Sequence, residues 1–210
     1  MTDLTDELDA GAVFRWLTAA AASVEREADL LTELDSAIGD ADHGSNLQRG
    51  FAAVVTALGK ESPDTPGAVL VLAGRQLVSS VGGASGPLYG TLLRRTGKAL
   101  GDAERVTGAQ LADALRVGVD AVAQLGGAAV QDKTMLDALY PGVEALTAGG
   151  PDPYGAARTA ANDGAEATVP LRARKGRASY LGERSVGHKD PGATSSALLF
   201  TALAGVVADE

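Results

Sequence analysis

A chain of 210 residues that is 45% hydrophobic, with a mean hydropathy of +0.05, has apolar material for one good core, and a single domain over 1–210 is expected. A net charge of −9 and an aromatic content of 4% argue against a polyanionic partner and against a base-stacking platform, so no nucleic acid is expected. The absence of cysteine removes disulfides, thiolate zinc sites and thiol catalysis.

The opening, Met1 to Ala10, is acidic and lacks the basic and apolar halves of a secretory signal. From Gly11 the apolar positions Val13, Trp16, Leu17, Ala20, Val24, Leu31 and Leu34 repeat at helical spacing, predicting one long or once-broken helix to Ile38. Gly39 is a suitable left-handed stop, and Ser45 and Asn46 introduce a second helix from Leu47 that carries Phe51, Val54 and Leu58. Thr65 with Pro66 opens a third helix, which ends at Val81. Gly82 to Pro87 is a glycine-rich corner before a fourth, which ends near Leu100-Gly101. Thr107 and Gln110 form a capping box for a fifth, closed by Gly126-Gly127.

After Gln131-Asp132-Lys133-Thr134 a sixth helix runs through Met135, Leu139, Val143 and Leu146, with a kink expected at Pro141. Asp152-Pro153 starts an Ala-rich seventh helix to about Leu171, and Arg172 to Lys189 is the longest irregular stretch. Asp190-Pro191 opens the eighth. Alternating β-branched runs are missing, so the fold class is all-α, with eight helices and no strand. The apolar run near Ala197 to Ala208 is short for a bilayer span, which predicts a soluble cytoplasmic protein with no membrane partner.

Asp35, Asp40 and Asp42 fall within eight positions at the first corner. Like charges so close repel, and carboxylate oxygens are the ligands of hard Mg²⁺ or Ca²⁺; Asp40 and Asp42 equally suit capping of the second helix. Short connections make consecutive helices antiparallel neighbours, so alternate corners share one end. By that parity the acids, Gly82 to Gly86, Asp132-Lys133-Thr134 and the stretch from Arg172 to Lys189 meet at one pole. The last of these holds six cations against Glu183, a net +5, leaving −14 for the rest of the chain. A side-chain-poor loop before a helix and a concentrated basic segment suit a phosphate anion. No Gly-x-x-x-x-Gly-Lys-Ser/Thr and no Gly-x-Gly-x-x-Gly occurs, which sets aside the common nucleotide folds.

Together Gly39-Asp-Ala-Asp-His-Gly44, Gly82-Gly-Ala-Ser-Gly-Pro87, Asp132-Lys-Thr-Met135, the run Gly176 to Ser185, His188 and Asp190-Pro-Gly192 resemble the DhaL family, the ADP-binding subunits of dihydroxyacetone kinases. The resemblance covers the chain from about Trp16 to its end. It implies a barrel of eight antiparallel up-and-down helices with ADP (or ATP) and two Mg²⁺ at one end. It implies Asp35, Asp40 and Asp42 as metal ligands, and His43, Gly44, Ser45 and Asn46 as nucleotide contacts. Ala84 and Ser85 would meet phosphate, Gly126 and Met135 would line the base pocket, and Arg177 with Asp190, Pro191 and Gly192 would close over the diphosphate. No residue is assigned as a covalent catalyst.

The implied partners are a phosphohistidine donor subunit that rephosphorylates the bound nucleotide and a dihydroxyacetone-binding kinase subunit that receives the phosphoryl group; homodimerisation is left open. The alternatives are an ATP-dependent kinase subunit for another small ketose, and a non-catalytic nucleotide-sensing partner of a transcription regulator. One position departs from the family pattern: Gln131 stands where glycine usually precedes Asp-Lys-Thr.

Overall fold

Thr65, Thr107, Asp152 and Asp190 each occupy non-helical backbone and accept the N–H three residues on, from Ala68, Gln110, Gly155 and Ala193. Each thereby satisfies one of the donors that a helix start leaves without a partner. Gln110 returns the bond to the Thr107 N–H, completing the expected capping box. Pro66, Pro153 and Pro191 follow three of these caps at the first helical position, where a missing N–H costs nothing.

The computed structural model describes residues 7–209, so Met1 to Asp6 of the acidic opening lie outside it. Within that range β1 (Glu7–Asp9) leads into α1 (Ala10–Arg26) and α2 (Ala28–Ile38), followed by α3 (His43–Glu61), α4 (Pro66–Ser80) and α5 (Ser85–Leu100). After β2 (Arg105–Thr107) come α6 (Gly108–Gly126), α7 (Leu136–Ala148) and α8 (Pro153–Glu166). A 3₁₀ segment over Arg177–Ser185 then precedes α9 (Pro191–Ala208). The first expected helix is thus broken once, at Glu27, and counted as one stave it leaves eight. Each stave packs on the next in the chain, and α9 returns to pack on α1, closing the barrel.

Two features differ from the sequence reading. A pair of three-residue strands exists after all, Glu7 to Asp9 antiparallel to Arg105 to Thr107, with Arg105 paired to Glu7 at 3.3 Å. It bridges the pole opposite the carboxylates. Strands this short carry no readable alternation. The Ala-rich helix stops at Glu166 rather than near Leu171, because Pro170 disfavours helical backbone at Val169 and offers no N–H of its own. Pro141, by contrast, lies inside the helix over Leu136–Ala148.

The core is one apolar cluster running from Leu8 to Ala204, with Phe51 and Tyr89 meeting edge to face at 6.5 Å and the Trp16 indole N–H donating to the Leu199 carbonyl. Of the described residues, only α9 is a helix long and apolar enough to cross a membrane, with a mean hydropathy of 1.5. It is the barrel's inner stave, packed on α1, α2, α7 and α8. Apolar residues all round a helix mark one that is buried.

The tightest seam joins α4 to α5. A Cβ on Gly74 would lie 2.6 Å from the Gly90 carbonyl oxygen, and one on Gly97 2.5 Å from that of Gly67, so backbone meets backbone where any side chain would intervene. Gly74→Ala should therefore lower stability by about 1–3 kcal/mol, despite alanine's better helix propensity. Gly59→Ala in α3, where a Cβ meets nothing within 4 Å, should raise it by about 0.5–1 kcal/mol. Urea unfolding of the two variants measures both; equal signs would contradict the seam.

Candidate metal and anion site

The first corner is built by a carboxylate reaching across from the preceding helix. Asp35, buried in the last turn of α2, accepts the N–H groups of Asp42 at 2.9 Å and His43 at 3.2 Å through one oxygen, Oδ2. It caps α3 from outside, which is why that helix begins at His43 and not at Leu47: His43, Gly44, Ser45 and Asn46 form its first turn. Asp42 stands at the cap position, yet its side chain makes no capping bond, so capping does not account for it. Gly39 is not left-handed (φ −138°); Ala41 takes that conformation instead, at φ +62°. Gly39 is required for room, since a Cβ there would fall 1.9 Å from Asp35 Oδ1.

The outcome is a converging donor set. One oxygen from each of Asp35, Asp40 and Asp42 lies within 4.8 Å of the others. Asp40 and Asp42 are exposed, and the Arg177 guanidinium reaches Asp40 at 3.2 Å while remaining 69% exposed itself. One exposed cation against three carboxylates leaves this cluster negative, and such a pair is worth little in water. Three hard oxygen donors facing one small volume match the chemistry of Mg²⁺ or Ca²⁺.

His43 joins the first corner to the second and to the last helix. Its Nδ1 lies 3.3 Å from Ser85 Oγ at the head of α5, and its Nε2 lies 2.8 Å from Ser195 Oγ in α9. Ser195 Oγ contacts Tyr89 Oη at 2.7 Å, and Tyr89 also contacts Ser196 Oγ at 2.9 Å and the Gly192 carbonyl at 3.2 Å. Burial pulls the His43 pKa below its ordinary value against the pull of Asp35, Asp42 and a hydrogen bond to the Pro191 backbone. Burial also pushes the Tyr89 phenol up to about 12. A phenol and a neutral imidazole thus share one interior hydrogen-bonded path beneath the pole.

The remaining expected residues are placed as follows. Ala84 is exposed at the cap position of α5, and the Gly82 to Gly86 loop lies over Asn46, whose Oδ1 would meet a Gly82 Cβ at 3.3 Å. Ser45 is exposed and donates to the Asp42 carbonyl at 3.0 Å. Gly44 packs directly on α2, where a Cβ would fall 2.0 Å from the Ala28 carbonyl oxygen. Met135 caps α7 and lies beside Gly192, a Cβ on which would be 3.5 Å from the Met135 nitrogen. Gly126 instead neighbours Leu88 of α5 and Ala128, on the α5–α6 side of the pole. Asp190, Pro191 and Gly192 begin α9 under the His43 path.

Two further residues hold the pole together. Arg49 ties α3 to the end of α4 by donating to the Ser80 carbonyl at 3.2 Å and to Asn46 Oδ1 at 2.6 Å. Lys133 turns inward from the third corner and donates to backbone carbonyls of the segment before α9. The corner itself explains the Gln131 departure: Gln131 is left-handed at φ +72°, a conformation glycine adopts without penalty. Its N–H and that of Thr134 (2.8 Å) both donate to the Asp137 carboxylate, which keeps the corner in place with a side chain at that position.

Asp190 gives the site a pH dependence. Burial raises its carboxyl to about 7; the Ala193 N–H and Lys133 oppose the rise, and Asp137 and Asp35 add to it. A carboxyl with a folded pKa above its unfolded value of about 4 binds more protons when folded, so stability falls as pH rises from about 4 to about 7. Asp190→Asn keeps an acceptor for the Ala193 N–H and removes the charge. In the ligand-free protein with chelator present, the variant should melt above the wild type at pH 8 and lose that advantage by pH 4. A constant difference across thermal scans would exclude this carboxyl as the cause.

Comparison with known proteins covers nearly the whole chain. The chain is 43% identical over 198 residues to the ADP-binding subunit DhaL of the PEP-dependent dihydroxyacetone kinase of Escherichia coli, covering 91% of this chain and 94% of that subunit. It is 42% identical to the corresponding subunit of kinase 1 of Listeria innocua, over 90% and 92% of the two chains. The crystal structure of the dihydroxyacetone kinase of C. freundii in complex with AMP-PNP and Mg²⁺ superposes with a TM-score of 0.72 at 28% identity; the match covers 93% of this chain and spans about a third, 33%, of that longer one. Residues 37–205 match the DAK2 domain, a range that takes in Asp40, Asp42 and the three later corners and begins two residues after Asp35, and the chain belongs to the DAK2-domain family.

Proposed function

We propose that this chain is the ADP-binding subunit of a dihydroxyacetone kinase, carrying a phosphoryl group on bound ADP/ATP from a phosphohistidine subunit to dihydroxyacetone held by a separate subunit. The observation that carries the reading is the convergence of three carboxylates with His43, Ser85 and Arg177 at one pole. The E. coli subunit is matched over 94% of its length and is named as ADP-binding, which supports the same task here.

Asp35, Asp40 and Asp42 would hold two Mg²⁺, with Asp35 offering Oδ1 because Oδ2 is committed to the head of α3. When bound, the metal would neutralise diphosphate charge and align the oxygens for in-line transfer. The glycine loop and the first turn of α5, at Ala84 and Ser85, present backbone N–H groups to phosphate oxygens. Two divalent ions against three aspartates and a diphosphate of about −3 leave a small negative remainder, which Arg177 is placed to offset. Gly126 and Met135 would border the base, and Asp190 to Gly192 would sit beneath the diphosphate.

Asp40→Asn should lower co-purified ADP and magnesium at least about tenfold, as read by mass spectrometry and metal analysis of the isolated protein. Undiminished ADP in the variant would remove the metal bridge from the proposal. The segment over Arg172 to Lys189 is the face offered to the other subunits: Tyr180 is 89% exposed there, between Arg177 and Arg184. Arg174→Glu should weaken complex formation with the dihydroxyacetone-binding subunit at least severalfold in a pull-down titration; unchanged binding would place the interface elsewhere.

A further inference from the structure

Lys133 is only 1% exposed, and among the described residues it forms no ion pair. Lysine is almost never buried so completely without a carboxylate in direct contact, because its ammonium gives up its hydration, and here Asp190 and Asp137 attract it only from beyond ion-pair range. Here five backbone carbonyls replace that hydration: Ser185 at 2.8 Å, Thr168 at 2.9 Å, Leu171 at 3.0 Å, Val169 at 3.5 Å, and His188. Three protons are shared among five acceptors, and the Lys133 backbone is left-handed at φ +62°, bent so that the side chain turns inward.

The acceptors lie at the two ends of one segment. Thr168, Val169 and Leu171 form the exit from α8, while Ser185 and His188 form the return to α9. The same two ends are also joined by Gly187 N–H to the Val169 carbonyl at 2.8 Å, by Ala173 N–H to Ser185 Oγ at 2.9 Å, and by Asp190 N–H to Thr168 Oγ1 at 2.9 Å. What lies between them is the stretch that brings Arg177 to Asp40. Carbonyl oxygens gathered round a desolvated monovalent charge are the arrangement by which proteins hold K⁺.

We propose that Lys133 is a positioning residue: its ammonium occupies a five-carbonyl monovalent-cation site, and by closing the base of segment 168–188 it holds Arg177 and the head of α9 in place for the diphosphate. The consequence for nucleotide rests on the function proposed above; the cage does not. The ligand class of the site is a small monovalent cation, which the chain supplies from its own side chain.

Six basic residues between Arg172 and Lys189 make the segment a direct reporter, because trypsin cleaves it only when it leaves the barrel. In the full chain without nucleotide, Lys133→Met should be cut there at least tenfold faster than wild type, with helical circular dichroism unchanged. In Lys133→Ala, ammonium chloride should restore protection at least threefold relative to sodium chloride at equal ionic strength. MgADP affinity should fall at least tenfold in Lys133→Met, and in Lys133→Ala it should recover with ammonium alone. A folded Lys133→Met that stays protected, or a Lys133→Ala that responds alike to both salts, overturns the proposal.

Should neither variant fold, ¹⁵N spectra of the wild-type lysines decide. A caged NH₃⁺ exchanges slowly and gives a resolved cross-peak, whereas fast exchange at Lys133 overturns the cage. Wild type that binds no MgADP but shows ammonium-dependent protection in Lys133→Ala would sink the functional reading and leave the cage standing.

Discussion

Electrostatic repulsion among Asp35, Asp40 and Asp42 is the constraint around which the rest of the pole is arranged. Two carboxylates about 4 Å apart repel by roughly 1 kcal/mol in water and by about 4 kcal/mol at the effective dielectric of a protein surface. A fold of about 5–15 kcal/mol total stability can bear that sum, but not without help. Help comes from two sources on this chain: the first N–H groups of α3, which take one oxygen of Asp35, and Arg177, which takes one of Asp40. Among the described residues Asp42, at the cap position of α3, makes no capping bond that would spend its charge. The compensation is partial, and the unspent donor capacity is what makes the cluster fit for a divalent cation.

Most of the barrel was legible because its signals are local. Caps at Thr65, Thr107, Asp152 and Asp190 act within three residues, and the apolar spacing from Val13 to Leu34 needs only a helix to explain it. The pole was legible by parity: alternate corners must share an end, and His43 to Ser85 and Arg177 to Asp40 now measure that sharing at 3.3 Å and 3.2 Å. What escaped the sequence acts across the fold. The start of α3 is set by a carboxylate eight residues upstream on another helix, and the pairing of β1 with β2 spans about a hundred residues. Gln131 stood out as a departure from glycine, but that the backbone there stays left-handed, with Asp137 holding the corner, is seen only in the fold. Lys133 stood in a conspicuous motif, but nothing in the linear order says that its partners are carbonyls 35 to 55 residues later.

The two halves of the molecule are held together by different forces. The staves rest on apolar burial and, between α4 and α5, on backbone contact through glycine. Segment 168–188 has only a small satellite of apolar contact, Ile38 with Ala173, Ala178 and the partly buried Leu181. Its order comes mainly from hydrogen bonds converging on Lys133, Ser185 and Thr168, and from exposed pairs such as Arg172 with Glu183 at 3.0 Å. Apolar burial holds a stave regardless of what occupies the pole, whereas dipoles and charges respond to any ion placed near them.

That division bears on how a phosphoryl carrier can work. A subunit that receives a phosphoryl group from one partner and gives it to another must let both reach the same phosphate without losing the nucleotide between visits. A rigid barrel keeps the carboxylates and the head of α5 fixed, while the segment bearing Arg177 is tethered at its base and exposed along its span. The buried ammonium among carbonyls is screened by surface salt less than the exposed Arg177–Asp40 pair, which is the contact the function proposed above would exchange for phosphate. On the function proposed above, fixing the base would confine motion to exposed side chains such as Arg177, so that access by a second protein would leave the carboxylates Asp35, Asp40 and Asp42 undisturbed.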